Sequence, residues 1–165
     1  MFDFVALFSG ISRELATVLI ACLPIAELRV SIPIALEVYH LPLWKAVGLS
    51  LLGNMLPVTF ILLVIPAVHQ WLLRARFVGG VFKKFLSRAE KSFSSSYAKY
   101  GAIGLVIFVG IPLPMTGAWT GALAAFIFNI PFRKSWPLIF LGVCMAAAIV
   151  TLLTLFGGGA LRRLL

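Results

Sequence analysis

The chain has 165 residues, of which 62% are hydrophobic and 12% are charged, and its mean hydropathy is +1.10. Soluble domains carry roughly 25% charged residues, so this composition excludes a soluble globular protein and indicates an integral membrane protein. The net charge of +9 does not indicate a nucleic-acid partner, because half of the 14 cations lie in one short segment, residues 74–99.

The first apolar stretch, residues 15–36, is interrupted by charges and prolines. Its motif AELRVSIP places Glu27, Arg29 and Pro33 close together, shortly after Pro24. A charge in hydrocarbon is costly, so both charged side chains should face a partner or a wet cavity. We expect the helix to break at Pro24 and at Pro33, so that the chain enters the membrane here, turns near the prolines and leaves by the same face, as a re-entrant hairpin. A kinked full span is the alternative.

Two uninterrupted apolar stretches, residues 46–73 and 135–161, are long enough to cross a hydrocarbon core of ~30 Å with some tilt. Between the first of them and the next apolar stretch lies the basic segment 74–99, whose apolar residues recur at three- and four-residue spacing. This pattern predicts an amphipathic helix on the cytoplasmic leaflet. Residues 1–14 show a similar pattern and predict a second interfacial helix.

The third apolar stretch, residues 101–129, carries no charge, but Pro112, Pro114 and Gly117 fall near its centre. Because proline removes a helix donor and clashes with the preceding turn, one regular helix is disfavoured here. We expect a second re-entrant hairpin, again with a kinked full span as the alternative.

The side chains expected to act on a substrate lie at the centres of these two hairpins. Glu27 is the candidate for proton or ion coupling, prolines expose backbone carbonyls, threonines supply hydroxyls, and a tryptophan can stack on a cation. The predicted substrate-binding residues are Arg29, Pro33, Pro112, Pro114, Thr116, Gly117, Trp119 and Thr120. A purely structural ion pair between Glu27 and Arg29, and ordinary helix packing at Gly117, are the competing interpretations.

An internal repeat relates the two halves. A shift of 89 positions matches Pro42 with Pro131, Lys45 with Lys134 and Gly53 with Gly142. Each half then contains a broken apolar stretch, a short loop and an intact span, over residues 1–73 and 74–165. If each broken stretch is a hairpin, each half crosses the membrane once, so the halves point in opposite directions. This is the inverted repeat found in many transporters.

Chemistry other than transport has little support in the sequence. Cys22 and Cys144 lie in apolar runs without metal-ligand spacing, so they predict neither a disulfide nor a metal site. Glu37 and His40 form one Glu-x-x-His, which lacks the second copy that a di-iron site needs. Nucleotide-binding and hydrolase fingerprints do not occur. We therefore expect no cofactor and no enzymatic activity.

The motifs AELRVSIPIAL and PLPMTGAWTGALAA closely resemble those of the small multidrug export proteins of prokaryotes, and the likeness extends across nearly the whole chain. More distantly, two proline-containing hairpins of opposite entry are similar to the DedA superfamily, whose members are implicated in moving lipids and polyprenyl phosphate carriers. Glu27 matches the acidic residue of the first DedA hairpin. The arginines of the second have no counterpart near Pro112, so this resemblance leaves phosphate binding to Arg29.

We thus expect an all-α, multi-pass secondary transporter of a prokaryotic inner membrane, with segment 74–99 in the cytoplasm. Its substrate would be a small amphiphilic compound, exported by proton or ion coupling and bound near the hairpin tips among membrane lipids. Few helices enclose little volume, so a homo-oligomer is expected. The alternatives are DedA-like translocation of lipid or polyprenyl-phosphate carriers, and a membrane scaffold without transport.

Overall fold

The structure, a computed structural model, describes residues 4–8, 10–74, 102–113 and 116–164. All regular structure in these ranges is helical. The helices are α1 (Phe4–Leu7), α2 (Arg13–Cys22), α3 (Glu27–Pro33) continued by a π-helical segment (Ile34–Val38), α4 (Leu43–Arg74), α5 (Ala102–Gly110), α6 (Ala118–Ile127) and α7 (Phe132–Leu164).

Within the described ranges, two helices are long and apolar enough to cross a membrane. These are Leu43–Pro66 within α4 and Phe132–Gly157 within α7, with mean hydropathies of 2.1 and 2.6. Only 39% and 33% of their most apolar windows are buried, whereas the core helix of a soluble protein would be mostly buried. Large apolar side chains such as Phe60 and Leu153 are left exposed, as expected for helices in contact with lipid. The prediction of an all-helical protein is confirmed for the described residues, and the two uninterrupted apolar stretches form its two candidate membrane-spanning helices.

The first apolar stretch is broken where Pro24 predicts. The hydroxyl of Ser12 accepts a hydrogen bond from the N–H of Leu15 and caps α2, which ends at Cys22 before a four-residue turn. Pro33, by contrast, does not interrupt the helix, so the prediction of a second break at this residue was wrong. The helix continues past it with wider π-helical turns, in which the N–H of Tyr39 bonds to the carbonyl of Ile34 at 2.9 Å.

The chain doubles back on itself through α2, α3 and the π-helical segment, which we call the first hairpin. The guanidinium Nη1 of Arg13 donates to the carbonyl of Tyr39 at 3.3 Å, and Nζ of Lys45 lies 3.3 Å from Oε1 of Glu14. The start of α2, the end of the π-helical segment and the start of α4 therefore meet at one end, the base. Residues 23–26 form the opposite end, the tip.

A glycine allows α4 to approach the first hairpin closely. A Cβ atom placed on Gly53 would meet the carbonyl oxygen of Val18 and would lie 2.8 Å from Cβ of Ala21. On the same contact, Sγ of Cys22 donates to the carbonyl of Gly53 at 3.0 Å. Since the starts of α2 and α4 also meet, these two helices run parallel, from base to tip.

The third apolar stretch is likewise two helices, α5 and α6, joined by non-helical residues around Pro112. A Cβ atom on Gly121 would collide with Val109, and one on Gly142 would lie 2.7 Å from Cβ of Val109 and 2.9 Å from the carbonyl oxygen of Val106. Both α6 and α7 therefore pack closely against α5. We call α5, its following loop and α6 the second hairpin.

The chain divides into two compact units. The first unit consists of Met1–Leu56 together with Cys144–Leu165, and the second unit consists of Pro57–Val143. The first contains the first hairpin and the start of α4, and the second contains the second hairpin and the start of α7. The division into repeats at 73 and 74 stays a prediction. From residue 75 onward, the amphipathic helix predicted in segment 74–99 lies outside the described residues. An interfacial helix was also predicted in residues 1–14, and the described part of this segment contains the short helix α1.

Candidate functional site

The predicted site residues fall into two groups, one in each compact unit, and each group is described by itself. Glu27, Arg29 and Pro33 belong to the first hairpin, whereas Pro112, Thr116, Gly117, Trp119 and Thr120 belong to the second. Pro114 lies outside the described residues.

Glu27 is the most unusual residue of the first hairpin. It follows the tip, starts α3, and is 5% exposed. Its φ angle is 49°, a left-handed conformation that residues with a long side chain rarely adopt. Its N–H donates to the carbonyl of Leu23 at 3.0 Å, which closes the turn. Such a conformation costs on the order of 1–3 kcal/mol and points to a functional constraint.

Arg29 lies beside Glu27, as the broken segment allows. Its Nη2 is 4.0 Å from Oε2 of Glu27, and its side chain is 26% exposed, compared with 7% for the glutamate. This distance is the outer limit for an ion pair and is far from the close bidentate geometry of a strong arginine–carboxylate contact. The two charges attract each other, but this contact does not lock them together.

A buried polar contact fixes α3 against α4. The hydroxyl of Ser31 donates to the hydroxyl of Ser50 at 2.8 Å, and both side chains are completely buried. Ser31 lies one turn after Glu27, and Asn54 lies one turn after Ser50. Asn54 is also completely buried, and neither Nδ2 nor Oδ1 makes a hydrogen bond among the described residues.

The base of the first hairpin carries a different kind of charge pair, which lies near solvent. Glu14 and Lys45 are each well exposed, and their contact joins the start of α2 to that of α4. Backbone hydrogen bonding at the start of α2, followed by the hydrogen bond from Lys45, holds the pKa of Glu14 below its usual range. Exposed pairs of this type contribute little stability, so we assign the base a positioning role.

In the second hairpin, Thr116 holds the loop closed. Its hydroxyl lies 2.8 Å from the carbonyl oxygen of Ile111 and 2.9 Å from that of Leu113, and it accepts from the N–H of Leu113 at 3.2 Å. The carbonyl of Ile111, which also accepts a hydrogen bond from the N–H of Leu113 at 2.8 Å, thus gains a second partner from this side chain. The hydroxyl predicted to contact a substrate therefore braces the loop.

The start of α6 depends on Gly117, which has a φ of 145° and a ψ of −171°, a conformation that is accessible essentially to glycine. Its carbonyl accepts a hydrogen bond from the hydroxyl of Thr120 at 3.2 Å. Trp119 is partly buried in the same turn. Sequence reasoning assigned Gly117 to substrate binding or helix packing, and the structure adds a backbone requirement.

A mainly apolar cavity of about 270 Å³ lies at the far end of the second hairpin from Pro112. Its lining includes Leu62, Pro66, Phe126 and Asn129. Among the described residues, no three His, Cys, Asp or Glu side chains cluster in a way that could hold a metal ion.

The loops that lead into the two spans are built alike. His40 and Asn129, related by the shift of 89, both have a φ of 53°. Each is followed by the matched prolines, Pro42 and Pro131, whose carbonyls accept the first helical hydrogen bonds of α4 and α7 at 2.8–3.0 Å. The matched glycines, Gly53 and Gly142, each pack on the first helix of the preceding hairpin. The same local structure therefore occurs in both units.

Sequence reasoning gave no role to Ser31 and Ser50. The available signal was their spacing, since Glu27 with Ser31, and Ser50 with Asn54, are pairs four residues apart in apolar helices. Each pair places two polar side chains on one helix face.

Comparison with known proteins gives one match. A family model described as "Putative small multi-drug export protein" matches residues 27–149, about three quarters of the chain. This range starts at Glu27 and includes α3, α4, the second hairpin and the start of α7. No curated protein and no solved structure matches the chain significantly.

Proposed function

The chain belongs to the small multi-drug export protein family, and on this basis we propose that it exports small amphiphilic cations across the membrane in exchange for protons. The resemblance noted in the sequence is thus confirmed at the level of the family. We further propose that the protein is a multi-pass homo-oligomer of a prokaryotic inner membrane, with segment 74–99 on the cytoplasmic side. The distant likeness to the DedA superfamily stays a prediction.

The observation that carries this proposal is the buried carboxylate of Glu27. An ionisable group withdrawn from water beside a break in the helices is typical of coupling sites in membrane transporters. The deprotonated carboxylate attracts a lipophilic cation, and protonation removes that attraction. A proton and an organic cation compete for the same negative charge, so only one of them is bound at a time. A single site can therefore couple the movement of the cation in one direction to the movement of the proton in the other.

Two features support an inverted repeat of two re-entrant hairpins. The base contacts of Arg13 with Tyr39 and of Lys45 with Glu14 return the first hairpin to the end where it began. The loops at His40 and Asn129, and the glycine contacts of both spans, repeat at a spacing of 89 residues. Re-entry of both hairpins would leave one crossing in each half and would invert the halves, as in many transporters.

A second candidate function is translocation of a lipid phosphate. Arg29 favours it, because its side chain is partly exposed and a guanidinium has the geometry to bind a phosphate. The two candidates differ in the charge that holds the substrate. Cation export needs Glu27, whereas phosphate translocation needs Arg29.

Proton movement in liposomes tests the proposal. The purified full chain is reconstituted with a pH dye inside, and ethidium is added outside. We expect the interior to become alkaline as ethidium enters and protons leave, with protein-free liposomes as the baseline. A response no greater than this baseline contradicts cation–proton exchange. A fluorescent lipid-phosphate flipping assay on wild type and Arg29→Ala then decides whether the second candidate holds.

Membrane topology is tested by labelling single cysteines with an impermeant maleimide. After replacement of Cys22 and Cys144 by alanine, a cysteine is placed at Gly10, Trp44 or Arg133, which are all exposed. Re-entrant hairpins predict that positions 10 and 44 react from the same side and position 133 from the other. Straight spans predict instead that positions 44 and 133 share a side opposite to position 10, and this result would overturn the inverted repeat.

A further inference from the structure

Within the part of the chain that the structure describes, Asn54 has no hydrogen-bond partner that explains its burial. It is completely buried in α4, yet both its amide nitrogen and its amide oxygen lack a hydrogen bond among the described residues. Burying an amide without partners is unfavourable, and an apolar side chain of the same size would avoid this penalty. An amide kept in this position is expected to have a partner in another state of the protein.

The direction of the helices identifies that partner. In the first hairpin, α2 and α4 run from base to tip, because Glu14 meets Lys45 at the base and Cys22 meets Gly53 further along. The intervening α3 runs from tip to base. It is therefore antiparallel to α4, with Ser31 and Ser50 in direct contact.

From this contact, one turn towards the tip leads to Glu27 on α3 and to Asn54 on α4. An α-helical turn rises by about 5.4 Å, so both residues lie on the next level of the same helix pair. The Ser31–Ser50 hydrogen bond thus predicts a register in which the buried carboxyl group of Glu27 comes close to the buried amide of Asn54.

We propose that the side-chain amide of Asn54 forms hydrogen bonds with the carboxyl group of Glu27 when this carboxyl group is protonated. This inference rests on the proposed function. A neutral carboxylic acid and a primary amide are complementary, since the acid O–H donates to the amide oxygen while the amide N–H donates to the acid carbonyl. This single arrangement satisfies both polar atoms of Asn54. A bound cation such as Na⁺ would engage only its oxygen and would leave the nitrogen unpaired.

The exchange involves one proton and no other bond change. Glu27 takes the proton from water on one side of the membrane, pairs with Asn54, and later returns the proton to water on the other side. In its charged form the carboxylate has Arg29 at 4.0 Å as its counter-charge. Asn54 therefore stabilises the protonated state, and Arg29 stabilises the deprotonated state.

The other charged groups of the first hairpin and the start of α4 lie away from this pair. Arg13 and Glu14 on α2, and Lys45 on α4, meet at the base. Glu37 is exposed in the π-helical segment. On the side facing α2, the thiol of Cys22 donates to the carbonyl of Gly53. Among the described side chains of these elements, the charge that faces Glu27 is that of Arg29.

Infrared spectroscopy of the purified full chain in lipid, recorded during a pH titration, tests the pair independently of transport. Wild type should develop a carboxylic-acid C=O band that Glu27→Gln lacks. In Asn54→Leu this band should form at a pH lower by roughly one unit and move to higher wavenumber, because the acid loses its hydrogen bonds to the amide. In Asn54→Asp the first such band should form at higher pH, because a second carboxylate disfavours ionisation.

Thr151→Val is the matched control. The hydroxyl of Thr151 is also buried without a hydrogen bond among the described residues, but it lies on α7. Its removal should leave the Glu27 band unchanged. The pair is overturned if Asn54→Leu keeps both the wild-type pH and the wild-type wavenumber. If Asn54→Leu does not fold, Asn54→Asp provides the test instead. The proposed pair is then overturned if the carboxylic-acid band of Asn54→Asp forms at the same pH as that of wild type.

The pair and the proposed transport can fail separately. If the infrared shifts occur but wild-type liposomes show no ethidium-dependent proton movement, the acid–amide pair holds and cation–proton exchange fails. If liposomes show exchange while Asn54→Leu titrates as wild type, exchange holds and the pair fails. A titration that shifts only with added Na⁺ would also overturn the pair, in favour of a cation site.

Discussion

Glu27→Gln is expected to reduce ethidium-driven proton movement in liposomes to the rate of protein-free liposomes. Glutamine keeps the size and hydrogen-bonding atoms of a protonated glutamate, but it cannot take up or release a proton. The substitution therefore fixes the neutral state of the site, in which the amide of Asn54 can still be paired. Loss of exchange without loss of folded protein would identify Glu27 as the coupling group.

Glu37→Gln is the matched control for this experiment. Glu37 lies ten residues further along the same hairpin and is exposed in the π-helical segment, so its replacement should leave exchange unchanged. Equal loss in both variants would indicate a general effect of charge. If Glu27→Gln and Arg29→Ala both exchange normally but unfold at lower temperature, the two residues form a structural ion pair, and the coupling proposal is wrong.

Gly53→Ala is expected to lower the stability of the folded protein, in contrast to Gly48→Ala on the same helix. The new Cβ would meet the carbonyl oxygen of Val18 and would lie 2.8 Å from Cβ of Ala21, so α4 would have to move away from α2. Overpacking against backbone typically costs about 1–3 kcal/mol. The loss of the Cys22 hydrogen bond to the Gly53 carbonyl would add to this cost.

Thermal unfolding of the purified protein measures this effect, and Gly48→Ala on the same helix provides the control. No atom lies within 4 Å of a Cβ placed on Gly48, so the change should be neutral or stabilising by up to about 1 kcal/mol, from helix propensity. Equal unfolding temperatures for the two variants would contradict the close approach. Gly142→Ala should repeat the result in the second unit, with Gly157→Ala further along α7 as its control, because nothing lies within 4 Å of a Cβ placed on Gly157.

The broad organisation of the fold was predictable because proline and charge act locally. Pro24 and Pro112 each lie in a non-helical connection, and the two uninterrupted apolar stretches became α4 and α7. Pro33 showed the limit of this reasoning. A proline removes one donor, but a helix can accommodate the loss by widening its turns, and the sequence does not reveal which response occurs.

The candidate site was only partly predictable. Burial of Glu27 and its closeness to Arg29 followed from the cost of isolated charge in hydrocarbon. The role of the Thr116 hydroxyl did not, because a hydroxyl that closes a loop and one that binds a substrate look the same in sequence. Nor did the Ser31–Ser50 contact, since pairing between two helices depends on their register.

The turns of the two hairpins both need a left-handed backbone conformation, and they place it on different residue types. In each hairpin, a residue with positive φ stands where the second helix begins. This residue is Glu27, the first residue of α3, in the first hairpin and Gly117, which directly precedes α6, in the second hairpin. Glycine adopts such an angle readily, whereas glutamate does so under strain. Any drift of position 27 towards glycine would make the turn easier to form, so thermodynamic optimisation alone would erase the carboxylate. On the function proposed above, the first hairpin keeps a carboxylate for proton coupling at a turn where glycine would fold more easily.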